Sequence, residues 1–475
     1  MTTAYAQREH HEFLSAAEEA LHNANLQLAL AALGDILGQR NKDAFSALDC
    51  SDDLRERARA IKNATMAALD EHLATLADAV ERRGGQVHFV ADAEDACRIV
   101  TQIARDEKAR RVVKSKLMTT EEIHLNPALE KAGVEVVETD LGEYIIQLAG
   151  HRPSHLVAPA IHMPIKEIAE ALSRAAGRPL PEDAPQLAAF ARATLREKFA
   201  TADLGITGAN FAVAETGTIV LVSNEGNARL TTTLPRVHVA IMGMEKVIPR
   251  LADLPVFLKV LARAATGQKL SVYTSIISGP RRAGELDGPE KFHLVVLDNG
   301  RSRILGSPLR ESLFCIRCGA CLNACPVYRN IGGHAYGGVY AGPIGAVLTP
   351  LYDGLAANEH LPHASSLCGA CQAACPVKIQ IPKMLIQLRE ALHETPEHGN
   401  WIERMAYRFW AASMRSVRRY RLGTWLAARV VGRAFRKQRW LKTLPGKLGG
   451  WTEDRDFPAP ATRRFRDWWK QEGQQ

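Results

Sequence analysis

Apolar side chains recur at helical spacing from residue 52 to 83, where Leu54, Ala58, Ile61, Met66, Leu69, Leu73 and Leu76 form one stripe that Gly84-Gly85 ends. The rhythm then changes. "QVHFVAD" (86–92) predicts a strand, "AEDACRIVTQIARDEKA" (93–109) an amphipathic helix and "RRVVKSK" (110–116) a strand again. "TEEIHLNPALEKAG" (120–133) predicts a helix and "VEVVETD" (134–140) a strand; "SHLVAPA" (154–160) continues the strands and "IKEIAEAL" (165–172) the helices. This alternation predicts a mostly parallel sheet covered on both faces, an α/β fold. Between 205 and 243 the pattern is richer in β, and its glycines with the Asn224-Glu225-Gly226-Asn227 turn predict inserted tight hairpins. "FLKVLARAAT" (257–266) is helical, "KLSVYTSII" (269–277) and "FHLVVLDNG" (292–300) are strands, and the α/β domain ends near Gly300. The expected division is a weakly helical segment over 1–65, an α/β domain over 66–300, a cysteine-rich region over 301–395 and a basic, aromatic, helical region over 396–475, broken by "FPAPAT" (457–462).

A chain of 475 residues exceeds one ordinary core, and 46% hydrophobic with 24% charged residues is usual for a folded protein. No apolar run approaches 18 residues, so no membrane-spanning helix is expected. "MTTAYAQREHHEFLSAAEEA" lacks a basic start followed by an apolar stretch, so it does not read as a secretory signal and a cytoplasmic location is expected. The net charge of +8 is uneven: from Trp401 onward there are 18 Lys and Arg against 6 Asp and Glu, so the first 400 residues are net acidic. The basic pI therefore belongs to the tail, and nucleic-acid binding is not inferred from it. Arg418, Arg419, Arg421, Arg429, Arg433, Arg436, Lys437 and Arg439 are mixed with Trp425, Phe435 and Trp440. Such a helix can lie peripherally on a membrane, meet an acidic partner, or pack on its own domain with the charges solvated. "FRDWWK" (465–470) is expected to bury its tryptophans in this chain or in a partner.

Seven of the nine cysteines lie between Cys315 and Cys375. Disulfides do not persist in reducing compartments, so this clustering reads as metal binding. "CIRCGACLNACP" (315–326) places Cys315, Cys318, Cys321 and Cys325-Pro326 at ferredoxin spacing. Cys318-Gly319-Ala320-Cys321 recurs 50 residues later as Cys368-Gly369-Ala370-Cys371, followed by Cys375-Pro376. The fourth thiolate of such a run cannot fold back onto its own cluster and ligates the other one. The spacing thus assigns Cys315, Cys318, Cys321 and Cys375 to one [4Fe–4S] cluster, and Cys325, Cys368 and Cys371 to a second. Structural zinc prefers isolated pairs or a Cys/His set of four and fits the run less well. The second cluster lacks a fourth thiolate, because Ser365 stands where the motif has cysteine. Ser365 reads either as a turn or cap residue or as a hard, poorly matched ligand. His334, His360, His363, a partner thiolate, a water, a substrate oxygen or a three-iron cluster are also open. Cys97 shares a helix face with Val100 and Ala104 and reads as a small core residue; Cys50 precedes a helix start.

"VVKSKLMTTEEI" (112–123), "VETDLGEYIIQL" (137–148), "GITGANFAVAETGTIVLVSNEGNAR" (205–229), "CIRCGACLNACPVYRNIGGHAYG" (315–337) and "SSLCGACQAACPVKIQIP" (365–382) together resemble the lactate utilisation protein B family, over most of the chain. The resemblance implies an α/β domain of the LUD type, similar to sugar-phosphate isomerase and CoA-transferase-like folds, and an α-helical ferredoxin-like module with two [4Fe–4S] clusters. It implies the electron-transfer component of a system that oxidises L-lactate to pyruvate, a subunit of an L-lactate dehydrogenase-type complex. The implied companions are a cysteine-rich subunit and a smaller LUD protein. Family ligand positions fall on Cys315, Cys318, Cys321, Cys325, Cys368, Cys371 and Cys375; some relatives have cysteine in place of Ser365. There is no GxGxxG after a strand and no evident flavin motif, so hydride chemistry is not expected from this chain alone. Two other readings stay open: a substrate-binding oxidoreductase that uses an open-coordination cluster, and a non-catalytic scaffold. Glu215, Thr216, Gly217, Asn224 and Glu225 suit a hydroxyacid or nucleotide site, or equally plain turn chemistry. "KSK" (114–116), at a strand end, suits a carboxylate or phosphate.

Overall fold

The computed structural model describes residues 10–394, 401–435, 437, 439–444, 446–452 and 455–473. The chain divides into two compact units, 1–392 and 393–475. Among the described residues the first contains ten strands: β1 (Gln86–Val90), β2 (Arg111–Lys114), β3 (Glu135–Glu138), β4 (Leu204–Thr207), β5 (Phe211–Val213), β6 (Thr218–Ser223), β7 (Val237–Gly243), β8 (Val247–Ile248), β9 (Tyr273–Ile277) and β10 (Lys291–Leu297). Six form an all-parallel sheet in the order β1-β10-β7-β4-β2-β3. Four form a smaller mixed sheet, β8-β5-β6-β9.

Every residue of β7 is buried, as a central parallel strand covered on both faces requires. Val237, Val239 and Ile241 pack with Ala96, Val100, Leu125 and Leu129 on one face. Ala240 and Met242 join the core that contains Leu76, Val80 and Phe292 on the other. Each fully buried Val or Leu here contributes about 1.5–3 kcal/mol over its exposed state.

Four stretches depart from the sequence pattern. The stripe over 52–83 is two helices, Ser51–Ala67 and Leu69–Glu81, broken at Ala68. Thr65 Oγ1 donates to the Ile61 carbonyl at 2.7 Å, a back-bond that bends helices. The helix over 120–133 is also two, Met118–Glu122 and Leu125–Lys131, separated by His124 in the left-handed region. Pro127 is tolerated only in a first turn, so the helix restarts just before it. "SHLVAPA" is a loop, not a strand. Pro153 before it and Pro159 within it cannot donate to a ladder, and the Ser154 carbonyl accepts instead from Tyr328 Oη at 2.6 Å. Asn224-Glu225-Gly226 leads into the helix Asn227–Thr233 rather than a hairpin; Ser223 Oγ accepts from the Glu225 N–H at 3.0 Å and tightens that turn. The hairpin of this stretch joins β5 to β6, where Gly217 has φ +65° and a Cβ would meet the Ala79 backbone at 2.6 Å.

Helices His10–His22, Ala24–Ser46 and Ser51–Ala67 pack on the cysteine-rich region. Arg55 donates to the carbonyls of Ala373 and Cys375 at 2.6 and 2.7 Å, and Gln27 to that of Asn330 at 2.6 Å. The second unit holds helices Trp401–Met414, Val417–Ala434 and Phe465–Gln471. Trp468 and Trp469 pack on Phe465 but stay 39% and 48% exposed, so the described residues of the second unit do not bury them. Arg436 lies outside the described residues. No helix among the described residues is long and apolar enough to cross a membrane.

Candidate iron–sulfur site and adjoining cavity

The 50-residue repeat is a repeat of backbone geometry. Arg317 and Leu367 occupy the left-handed region at φ 59° and 55°, and Gly319 and Gly369 follow at 77° and 82°. One-turn helices Ala320–Ala324 and Ala370–Ala374 come next, each ending on an extended cysteine, Cys325 or Cys375. A left-handed non-glycine residue costs about 1–2 kcal/mol and persists only where its surroundings over-determine it. Here the turns aim N–H groups at sulfur: Arg317 at Cys315 Sγ (3.4 Å), Tyr328 at Cys325 Sγ (3.5 Å) and Ile379 at Cys375 Sγ (3.4 Å).

The thiols fall into two sets. Cys315, Cys318, Cys321 and Cys375 line one cavity, walled by Leu156, Ile344, Val377, Ile379 and Ile381. Burial pushes the Cys318 thiol well up, and the neighbouring Cys375 and Cys315 add to this. Cys375 is raised to about 11, again by burial, with Cys315 as its thiol neighbour. The second set is Cys325, Cys368 and Cys371: burial, then Cys325 and Cys368, push Cys371 to about 12. Cys321 of the first set also feels Cys371 of the second. Cys368 is exposed, and the Ala370 N–H and the Ser366 side chain lower its thiol. Among the described residues no three His, Cys, Asp or Glu side chains converge as a single-ion site requires. A ring of thiols around an apolar cavity, with N–H groups on the sulfurs, suits a polynuclear cluster, whose positive iron drives deprotonation of thiols that burial keeps neutral.

Ser365 Oγ accepts from the Leu367 N–H at 3.2 Å, a turn contact. His360 packs on Phe13 with ring centroids 5.2 Å apart, and His334 shares a hydrogen bond with the Arg152 carbonyl (2.8 Å) beside His162. Cys97 Sγ donates to the Ile123 carbonyl at 3.1 Å; Cys50 begins the helix Ser51–Ala67.

Three basic side chains interact electrostatically with Cys315: Lys62, Lys246 and Arg317. Burial pulls Lys62 down to about 7 and Lys246 to about 8. Lys62 Nζ donates to the Glu245 carbonyl. Arg317 Nη2 lies 3.6 Å from Glu245 Oε1, and its guanidinium stacks 4.3 Å from the centre of the Tyr340 ring. Arg301 Nε binds Glu245 Oε2 at 2.7 Å, and its two terminal nitrogens grip Glu122 at 2.9 Å each. Burial alone would raise the Glu245 carboxyl, but Arg301, Lys246 and Arg317 hold it near 2.

A second cavity, of about 310 Å3, opens at the carboxyl ends of the parallel strands. Ser115 and Lys116 follow β2, Asp140 follows β3, and Gly208 and Asn210 follow β4; Asn224, Glu225, Lys246, Tyr340 and Arg317 complete the lining. Arg317 and Leu156 line both cavities. The "KSK" lysines divide their roles. Lys114 Nζ is buried between Glu138 (2.7 Å), Glu121 (3.0 Å) and Thr120 Oγ1 (2.8 Å). Lys116 lines the cavity, and its buried Nζ lies 3.6 Å from Glu143 Oε1. Burial pushes that carboxyl up to about 8, against the downward pull of Lys116. Glu215 accepts from the Leu251 N–H (2.9 Å) and Thr216 bonds Thr218 (2.8 Å), both in the hairpin turn; Asn224 and Glu225 reach the cavity. Arg317, Lys246, Tyr340, Asp140 and Asn210 were not legible as cavity residues, although an arginine between two motif cysteines was a signal.

Residues 73–297 match the LUD domain family, 311–379 the 4Fe-4S dicluster domain, and 386–474 the family described as lactate utilisation protein B, C-terminal. The chain is 45% identical over 463 residues to a lactate utilization protein B of Anoxybacillus flavithermus, covering 97% of this chain and 98% of that one. A lactate utilization protein B of Bacillus subtilis is 43% identical over 458 residues, covering 96% and 95%. A crystal structure of a DUF162 family protein from Deinococcus radiodurans at 1.70 Å aligns with 15% identity and a TM-score of 0.29, over 48% of this chain and 98% of that one.

Proposed function

The chain belongs to the lactate utilization protein B family, and we propose that within lactate utilization it is the iron–sulfur electron-transfer component of an L-lactate-oxidising system. The reading rests on one observation: Cys315, Cys318, Cys321 and Cys375, from two loops of the cysteine repeat, line a single apolar cavity. Cys315, Cys318, Cys321 and Cys375 would hold one [4Fe–4S] cluster; Cys325, Cys368 and Cys371 would hold the second, with its remaining position filled from outside this set. Oxidation of L-lactate to pyruvate releases two electrons and two protons, and two such clusters, when bound, supply two one-electron carriers. The chain's own part is to exclude water from the first set of thiols, to aim N–H groups at three sulfurs and to supply basic side chains that interact electrostatically with Cys315.

Residues 66–300 would face the substrate or its companions, 301–395 hold the clusters, and the helices over 1–65 brace them. The partners are a cysteine-rich companion subunit and a smaller LUD-domain protein, acting in the cytoplasm. The basic region over 396–475 would contact them or an anionic membrane surface. The test is anaerobic purification with iron and sulfide analysis, then reduction of the protein by L-lactate in the presence of both companions. About eight iron per chain and lactate-dependent bleaching support the reading; a colourless protein, or one holding zinc, ends it. The second reading, substrate bound directly to an open iron, draws on the three-thiol set; a lactate-dependent change in the electron paramagnetic resonance (EPR) of the isolated protein would favour it.

A further inference from the structure

We propose that the cavity at the strand ends binds the carboxylate of a small 2-hydroxy acid through Arg317 and Lys116, and that Arg317 makes the occupant felt at the first set of thiols. The choice of acid rests on the function proposed above; the site rests on the following observations.

Arg317 Nη1 and Lys116 Nζ are buried and make no hydrogen bond, although both side chains line the same cavity. Their side chains are only 10% and 19% exposed, and buried polar groups of this kind ordinarily have a hydrogen-bond partner. The cavity's acids are already engaged. Asp140 Oδ1 accepts from the N–H groups of Gly142 (3.1 Å) and Glu143 (3.3 Å), and Glu225 Oε2 from that of Leu141 (3.3 Å). Lys116, Lys246 and Arg317 share the lining with Asp140 and Glu225, while Glu245 lies against Arg317 and Glu143 against Lys116. A carboxylate offers acceptor geometry that an arginine fork and an ammonium can share. Leu221 and Leu261 supply an apolar wall for the rest of the molecule.

Arg317 sits in sequence between Cys315 and Cys318, and it is one of the three basic side chains that interact electrostatically with Cys315. A cation beside a redox centre favours its reduced, more negative form. An anion that neutralises Arg317 lowers the potential of the first cluster, so the oxidised protein binds the acid more tightly than the reduced one. The coupling is reciprocal: tenfold weaker binding on reduction corresponds to a fall of about 59 mV for a one-electron centre.

The experiment uses the anaerobically purified full-length protein with both clusters present. L-lactate, acetate and inorganic phosphate are titrated calorimetrically, and the potential of the first cluster is measured with and without L-lactate. We expect one L-lactate per chain, a downward shift of that potential, and no displacement of L-lactate by equimolar phosphate. Lys116→Met removes one donor and Ala265→Phe fills the cavity from its helical wall; each should weaken binding at least tenfold while iron content is kept. Both sites avoid the left-handed backbone and buried ion pairs of Arg317. The proposal falls if the iron-replete protein binds no L-lactate, if phosphate competes with the higher affinity, or if both variants bind as the parent does. Loss of iron–sulfur centres would instead overturn the electron-transfer reading, whereas intact centres that pass electrons without acid binding would overturn only this one.

Discussion

Cys375 lies with Cys315 on one cavity, although its own loop carries Cys368 and Cys371 to the other set. Thiols from both loops of the repeat thus meet on one cavity, as the proposed crossed assignment requires.

Cys325→Ser therefore removes a thiol from the second set while leaving the cavity of Cys315, Cys318, Cys321 and Cys375 whole. Iron should fall from about eight to about four per chain, with the spectrum of the first cluster retained. Cys375→Ser should do the reverse. Iron and sulfide analysis with EPR checks both; loss of the first cluster in Cys325→Ser would mean that the motifs do not interlace.

Ser365→Ala should leave iron content and the second cluster's EPR unchanged, because the hydroxyl accepts from the Leu367 N–H. The cost should be about 1 kcal/mol, as for loss of a similar side-chain cap. A drop in iron would identify the serine as a ligand. Ser365→Cys should likewise stay near eight iron; a sharp rise would reveal a natural second cluster that is incomplete.

Arg301 holds two buried carboxylates, Glu122 and Glu245. Arg301→Met leaves both without this partner at the junction between the sheet and the cysteine-rich region. The expected loss is about 3–5 kcal/mol in denaturant unfolding, because removing one member of a buried network uncovers the other's desolvation. A loss below about 1 kcal/mol would show that water or the neighbouring lysines satisfy the acids.

His238 is buried in β7, and burial followed by its neighbour His293 pulls it down to about 3. Its Nε2 lies 2.8 Å from Thr207 Oγ1, and its Nδ1 has no hydrogen-bond partner to receive a second proton's N–H. The unfolded chain takes up a proton near pH 6.5 while the folded chain stays neutral. Stability from this group is thus complete above about pH 6.5 and lost as pH falls towards 3, with a slope of about 1.4 kcal/mol per pH unit. His238→Gln should make unfolding between pH 6 and 4 less steep by about one proton; an unchanged slope would assign the acid sensitivity to other groups.

Much of this protein was written locally. The helix after β1 follows from its period, and β1 to β3 and β10 from short apolar runs bounded by turn residues, because both signals need only neighbours in sequence. The cysteine spacing likewise marked two thiol loops, since two intervening residues bring sulfurs to one turn. Tertiary packing decided the rest. "SHLVAPA" has the composition of a strand, but Pro153 precedes it, Pro159 lies within it, and its carbonyl at Ser154 meets Tyr328 from the distant cysteine-rich region. Arg317 reads as one more charged residue until folding sets it between two cavities, beside Glu245 and Tyr340. Short-range geometry fixes which groups a loop can present; only long-range packing fixes what they face, because buried charges and thiols take their properties from neighbours hundreds of residues away.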